Sequence, residues 1–344
     1  MGLHTGCDLV YRRRNTVGGS HNLCAHSLPT RGARGEAEVR SISKAKCREE
    51  IMIANRGNVR ITEVGPRDGL QNESARIPTA IKIQFVDQLS AAGFPEIEVT
   101  SFVSEKWVPQ LGDATEVMRG ITRRAGTIYS ALVPNERGLD DALEARVDKV
   151  SVFVSATEGF SRRNTNGSID EVLARVAPVV SRARKAGKPV RGYVSCIVEC
   201  PYDGLVDPAQ VVAVCARLLE MGVEEIDLGD TIGAADADSI SRLYQAVAKI
   251  IEPSKTTLHL HDTRGQAIAC ALRALEIGVR SFDSSVAGLG GCPYAPGAAG
   301  NVATETLARA IVSAGFDTNI DIQRASDAGL WMRQQLASTR ESST

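Results

Sequence analysis

The 344-residue chain carries 40 Lys and Arg against 41 Asp and Glu, a formal net charge of −1 and an isoelectric point near 6.5. That balance excludes a broad basic surface for nucleic acid, and no apolar run is long enough to span a bilayer, so a soluble globular chain of one large domain or two ordinary ones is expected. Its 8 cysteines are sparse for the length and follow no secretory signal, so they read as reduced thiols of an intracellular protein rather than a disulfide framework.

Residues 1–55 differ in character from the remainder of the chain. Arg12-Arg13-Arg14 stands among scattered Gly, Ser, Asn and His without sustained periodicity, and a disordered N-terminal extension is expected. It reads either as a dispensable tail on a cytoplasmic protein, with Met52 as an alternative start, or as an Arg-rich transit peptide for the mitochondrial matrix.

From Val59 onward, short β-branched runs alternate with segments of helical period. The runs are Val59–Val64, Ile97–Phe102, Thr127–Val133, Lys149–Val154, Val190–Ser195, Glu225–Leu228, Thr257–His261 and Ser281–Val286, each followed by Gly, Pro, Asp or Ser. Between them Thr79–Ala92, Ala114–Arg124, Ile169–Ala186, Pro208–Met221, Ser239–Ile250 and Gly265–Ile277 carry apolar residues at three- and four-residue spacing. Such alternation implies a parallel sheet with crossover helices, and the repeat number predicts a closed (β/α)8 TIM barrel over residues 56–335, followed by a flexible tail, 336–344. An open doubly wound sheet is the competitor, but no Gly-x-Gly-x-x-Gly turn follows the first run.

A barrel places its active site at the C-terminal strand ends. The first run closes on Gly65-Pro66-Arg67-Asp68-Gly69. The seventh closes on His259-Leu260-His261-Asp262, where period-two alternation sends both imidazoles to one side of the strand. Two histidines so placed at a barrel mouth point to a metal. Asp68 and Asn301 are the candidates for further ligands. Two imidazoles, a carboxylate and an amide oxygen, with room for water or substrate, suit a Mg²⁺- or Mn²⁺-like octahedral ion better than structural zinc.

Glu98 puts a charge inside the second run, where unpaired burial is costly, and pairing with Arg67 would resolve the cost and fix the guanidinium at the same place. Gly288-Leu289-Gly290-Gly291-Cys292-Pro293-Tyr294-Ala295 sets Cys292 among too much glycine and proline for a helix or strand, so this thiol belongs to a loop. Cys196-x-x-x-Cys200 lacks a second pair and reads as structural. Glu305 reads equally as a helix-start carboxylate, a solvated helix residue or a functional group.

With these stretches placed, the chain resembles the 3-hydroxy-3-methylglutaryl-CoA (HMG-CoA) lyases. The resemblance rests on Ile61-Thr62-Glu63-Val64-Gly65-Pro66-Arg67-Asp68-Gly69-Leu70-Gln71-Asn72-Glu73, on Thr100-Ser101-Phe102-Val103-Ser104 with Lys106-Trp107-Val108-Pro109-Gln110, and on the loop around Cys292. It spans about residues 59 to 335 and takes in Arg191-Gly192-Tyr193-Val194-Ser195-Cys196 and Asp230-Thr231-Ile232-Gly233. It implies a homodimeric TIM-barrel metallolyase that takes an acyl-CoA substrate and releases acetoacetate and acetyl-CoA. It also implies Asp68, His259, His261 and Asn301 as metal ligands, Arg67 as the substrate-binding arginine that stabilises the enolate, Glu98 as an active-site glutamate and Cys292 as the catalytic cysteine. The chemistry agrees: cleaving a carbon–carbon bond beside a tertiary alcohol removes the hydroxyl proton while charge grows on the departing enolate. Asp68 is then a candidate base, and Cys292 a candidate acid.

Two positions depart from the family pattern. Arg264 stands where well-known members have Tyr, and segment 161–168 matches only in part. Arg264 reads as a solvated rim charge or as a reader of an acyl carboxylate or CoA phosphate. The competing functions are a related lyase for citramalyl-CoA or a longer branched 3-hydroxyglutaryl-CoA, a condensing enzyme of the isopropylmalate synthase type, and a catalytically silent binding barrel. No nucleic-acid or membrane partner is expected.

Overall fold

A computed structural model describes residues 56–290 and 300–341. The expectations for residues 1–55 and for Cys292 lie outside the described residues.

Eight parallel strands close on themselves: β1 (Arg60–Glu63), β2 (Glu96–Ser101), β3 (Ile128–Leu132), β4 (Lys149–Ser155), β5 (Val190–Ser195), β6 (Glu225–Asp230), β7 (Thr256–Leu260) and β8 (Ser281–Ser284). The closing pair is β8 on β1, in register from Arg60 opposite Ser281 to Glu63 opposite Ser284. The expected (β/α)8 barrel is therefore the observed one. Its driving force is visible in the outward-facing strand residues: Ile61, Val150, Val152, Val154, Ile226, Leu228, Leu258, Leu260 and Phe282 are all buried beneath the helices. Among the described residues, no helix is long and apolar enough to cross a membrane.

Four helices lie outside the stretches expected to be helical: Glu136–Glu144, Glu158–Thr165, Thr304–Ser313 and Ile322–Glu341. The last corrects the expected tail, because the helix runs through residues 336–341. Ala325, Ala328, Met332 and Leu336 form its buried stripe, and the helix packs against Thr79–Ala91. An antiparallel hairpin, Glu199–Cys200 with Gly204–Leu205, also follows β5.

Helix Ile169–Lys185 shows how local sequence sets a boundary. Ser168 Oγ accepts the Glu171 amide at 3.2 Å while Glu171 Oε2 accepts the Ser168 amide at 2.7 Å, a reciprocal cap for two otherwise orphaned donors. Replacing Ser168 by Ala is expected to cost about 1 kcal/mol, read as a lower urea midpoint at an unchanged slope. An unaltered midpoint would show the cap to be energetically idle.

The inside of the barrel is polar, although branched aliphatic residues are the usual filling. Arg191, 0 % exposed, lies 3.1 Å from Glu96, 3.0 Å from Glu225 and 3.2 Å from Asp283. Lys149 pairs with Glu96 at 3.0 Å and with Glu225 at 2.5 Å. Desolvating such charges is tolerable because each buried cation lies against two or more carboxylates. This column connects the barrel floor to the site at its mouth.

Candidate active site

Past β1 the chain turns sharply: the amides of Arg67, Asp68 and Gly69 all donate to Val64 O, at 3.1, 2.8 and 3.2 Å. The turn throws Arg67 and Asp68 over the mouth. Arg67 Nε meets Glu98 Oε2 at 2.5 Å and its Nη1 meets Asp68 Oδ1 at 2.5 Å. The anticipated Arg67–Glu98 pair is thus present, and two carboxylates hold one guanidinium from two sides.

On β7 and just beyond it, His259 and His261 face the same way, their ring centroids 5.3 Å apart. Asp68, His259 and His261 each offer one ligand atom, and these atoms lie within 4.8 Å of one another. Asn301 sits opposite His261 on an adjoining stretch of chain, and its Nδ2 donates to Asp68 Oδ2 at 2.8 Å and to Leu289 O at 3.2 Å. The four residues expected as ligands therefore converge.

Two observations bear on whether a cation fits there. His261 Nδ1 and Asn301 Oδ1 are buried without a hydrogen-bond partner, an arrangement that costs free energy unless something satisfies them. Protonation states also suit ligation. Burial tends to raise the Asp68 carboxyl, but Arg67 and the two imidazoles outweigh it and hold the group well below the usual carboxylate range. Burial, reinforced by His259, pushes His261 down to about 4, keeping its imidazole neutral. Burial also works against a charged His259, yet its hydrogen bond to Asp283 and the Asp68 and Asp283 charges win, so that group is raised. A hard divalent ion matches this set of nitrogen and oxygen donors without thiolate.

The supporting residues escaped the sequence reading. Asp283 Oδ2 lies 3.3 Å from His259 Nδ1, orienting the ring so that Nε2 faces Asp68. Tyr193 OH is 3.1 Å from Glu98 Oε2 and 3.2 Å from Asp283 Oδ2, with the Arg67 guanidinium 5.4 Å from its ring centroid. Tyr193 thereby links the arginine half of the site to the histidine half. Alternation of Arg191 and Tyr193 on β5, matching that of the histidines on β7, was the available signal.

The HMGL-like family model matches residues 58–330. This chain belongs to the HMG-CoA lyase family. It is 50% identical over 271 residues to the cytoplasmic 3-hydroxy-3-methylglutaryl-CoA lyase of Rattus norvegicus, covering 79% of each chain. It is 51% identical to the 3-hydroxy-3-isohexenylglutaryl-CoA/hydroxy-methylglutaryl-CoA lyase of Pseudomonas aeruginosa, covering 79% of this chain and 90% of that one. The crystal structure of the HMG-CoA lyase from Brucella melitensis superposes with a TM-score of 0.80 at 47% identity, over 81% of this chain and 98% of that one.

Other residues of this HMG-CoA lyase family member resolve open alternatives. Glu305 is no solvated helix residue: it is 7 % exposed and accepts the Ala287 amide at 2.9 Å. Cys196 and Cys200 are buried, and Thr157 Oγ1 donates to Cys200 Sγ at 3.1 Å. Arg264 lies at the rim, half-exposed, with Nη2 3.1 Å from Glu199 Oε2 on the hairpin after β5. At the edge of the segment holding Cys292, a Cβ on Gly290 would come within 3.0 Å of Asn301 Nδ2 and 3.1 Å of Gly69 Cα. Glycine there lets the two backbones approach at the mouth.

Proposed function

We propose that this chain cleaves 3-hydroxy-3-methylglutaryl-CoA to acetoacetate and acetyl-CoA with Mg²⁺ or Mn²⁺ held by Asp68, His259, His261 and Asn301. The observation that carries the reading is the convergence of Asp68, His259 and His261, ligand atoms within 4.8 Å, beside the Arg67–Glu98 pair. When bound, the ion supplies positive charge that orients the substrate and acidifies its tertiary hydroxyl. Asp68, kept ionised chiefly by Arg67, accepts the hydroxyl proton. As the C2–C3 bond breaks, C3 becomes the ketone of acetoacetate and the electron pair passes to C2 as the acetyl-CoA enolate. Arg67 faces that charge already oriented by Glu98 and Asp68, so it reorganises little as charge develops. Cys292 returns a proton to C2.

Incubation of purified protein with Mg²⁺ and a panel of 3-hydroxyacyl-CoA esters, with mass-spectrometric identification of the keto acid, tests the reading. Acetoacetate from the HMG-CoA arm is expected; no product from that arm would overturn it.

A second reading, a lyase for a longer 3-branched substrate, is favoured by Arg264 and by the substrate named for the Pseudomonas relative. The Arg264–Glu199 bridge crosses from the turn after β7 to the hairpin after β5. Exposed ion pairs contribute about 0.2–1 kcal/mol, so Arg264→Tyr is expected to change the ratio of kcat/KM values for long and short substrates by no more than about fivefold, leaving Mn²⁺ affinity at the wild-type level. An identical preference profile would reduce Arg264 to a solvated rim charge.

A further inference from the structure

We infer that Glu63 is a positioning residue that fastens the turn carrying Arg67 and Asp68 to the two stretches of chain flanking Asn301, and that metal affinity depends on this fastening. The inference rests on the metal-site reading above.

Glu63 is the last residue of β1, on the outer face with Ile61, and is 0 % exposed. Its Oε1 accepts two backbone amides, Gly65 at 2.9 Å and Val286 at 3.0 Å, and its Oε2 accepts the Thr304 hydroxyl at 2.8 Å. Those donors belong to three different segments. Gly65 opens the turn that presents Arg67 and Asp68. Val286 follows β8 and leads through Leu289 towards the Cys292 segment. Thr304 begins the helix Thr304–Ser313, immediately downstream of Asn301. One buried carboxyl group thus sets the turn against both ends of the excursion that returns Asn301 to the mouth, where Asn301 and Asp68 meet at 2.8 Å.

The seat is closely fitted. A Cβ on Gly65 would lie 2.6 Å from Glu63 Oε1, and one on Gly69 would lie 3.0 Å from both Leu289 Cβ and Ser285 Oγ. Glu305 continues the arrangement by taking the next amide, that of Ala287, a non-glycine residue at φ +54°. Burial pushes the Glu63 carboxyl up to about 8, against the Val286, Thr304 and Gly65 hydrogen bonds. A carboxyl therefore stands at a costly place, buried on the outer face of β1. Its hydrogen-bonded connection of three segments is a physical reason for it to be there.

The test uses the full chain and reads Mn²⁺ binding by electron paramagnetic resonance, well below each variant's unfolding temperature, alongside kcat and KM. Glu63→Ala is expected to weaken Mn²⁺ binding about tenfold, the lower end for groups that orient metal ligands. Gly65→Ala leaves the Glu63 carboxyl in place but intrudes on it, and should reproduce the loss. Glu63→Gln should recover most of the affinity: its Oε1 still accepts both amides, and its Nε2 can donate to Thr304 Oγ1, whose proton then passes to Ser284 Oγ, 2.8 Å away. A role confined to stability would lower the melting temperature of Glu63→Ala and leave Mn²⁺ affinity intact. Wild-type affinity in Glu63→Ala, beside weakened binding in Asp68→Ala, would overturn the fastening and spare the metal site; no Mn²⁺ binding by the wild type would overturn both. Should Glu63→Ala not fold, Gly65→Ala and Thr304→Val decide, and wild-type affinity in both would overturn the inference.

Discussion

Cys292→Ala is expected to lower turnover by about 10²–10⁴-fold, the usual worth of a positioned general acid, while Mn²⁺ binds as in the wild type. The separation of the two readouts follows from the mouth. On the proposed reading the ion is held by Asp68, His259, His261 and Asn301, which converge without the thiol. Proton return to C2 requires an acid on the substrate side of the site, and the chain reaches the Cys292 segment from Gly290, against Gly69 and Asn301. Cys292→Ser should not restore the rate, because a hydroxyl is a far weaker acid than a thiol. Alkylation should inactivate the wild type, and bound substrate should slow it. Near-normal turnover of Cys292→Ala, measured with chemistry rate-limiting, would leave the carbanion to be protonated by water or another residue.

His259→Ala, His261→Ala and Asp68→Ala should each weaken Mn²⁺ binding by at least about 100-fold and depress turnover in parallel, since loss of a direct ligand costs no less than the 10–100-fold seen for groups behind ligands. Asp68→Ala carries a second loss. It removes one of the two carboxylates on Arg67, so saturating Mn²⁺ should restore the histidine variants further than it restores Asp68→Ala. Calorimetric titration of each variant, followed by rates across Mn²⁺ concentrations, checks both statements. Wild-type affinity in all three would remove the metal-site assignment, whatever happened to the rate.

The amino-acid sequence by itself determined the barrel and the poles of its site. Outward strand residues such as Val150, Val152 and Val154 must be apolar to meet the helices, and their period-two spacing, with Lys149, Ser151 and Ser155 on the other side, is written locally. His259 and His261 likewise share a side because a strand has period two. Partnership is another matter. Periodicity states which side of its own strand a residue faces, not what stands across the barrel, and that is decided only when β8 closes on β1. Closure brings Asn301 to Asp68, 233 residues apart, and Val286 to Glu63, 223 apart. It also makes Arg191 the hub of buried carboxylates from three other strands, a polar interior that reads along the chain as isolated charges in otherwise apolar runs. The final helix is hidden in the sequence for the same reason. Its amphipathic stripe is weak in isolation and becomes a face only against Thr79–Ala91, because burial is a property of two surfaces and the sequence of one segment describes only its own.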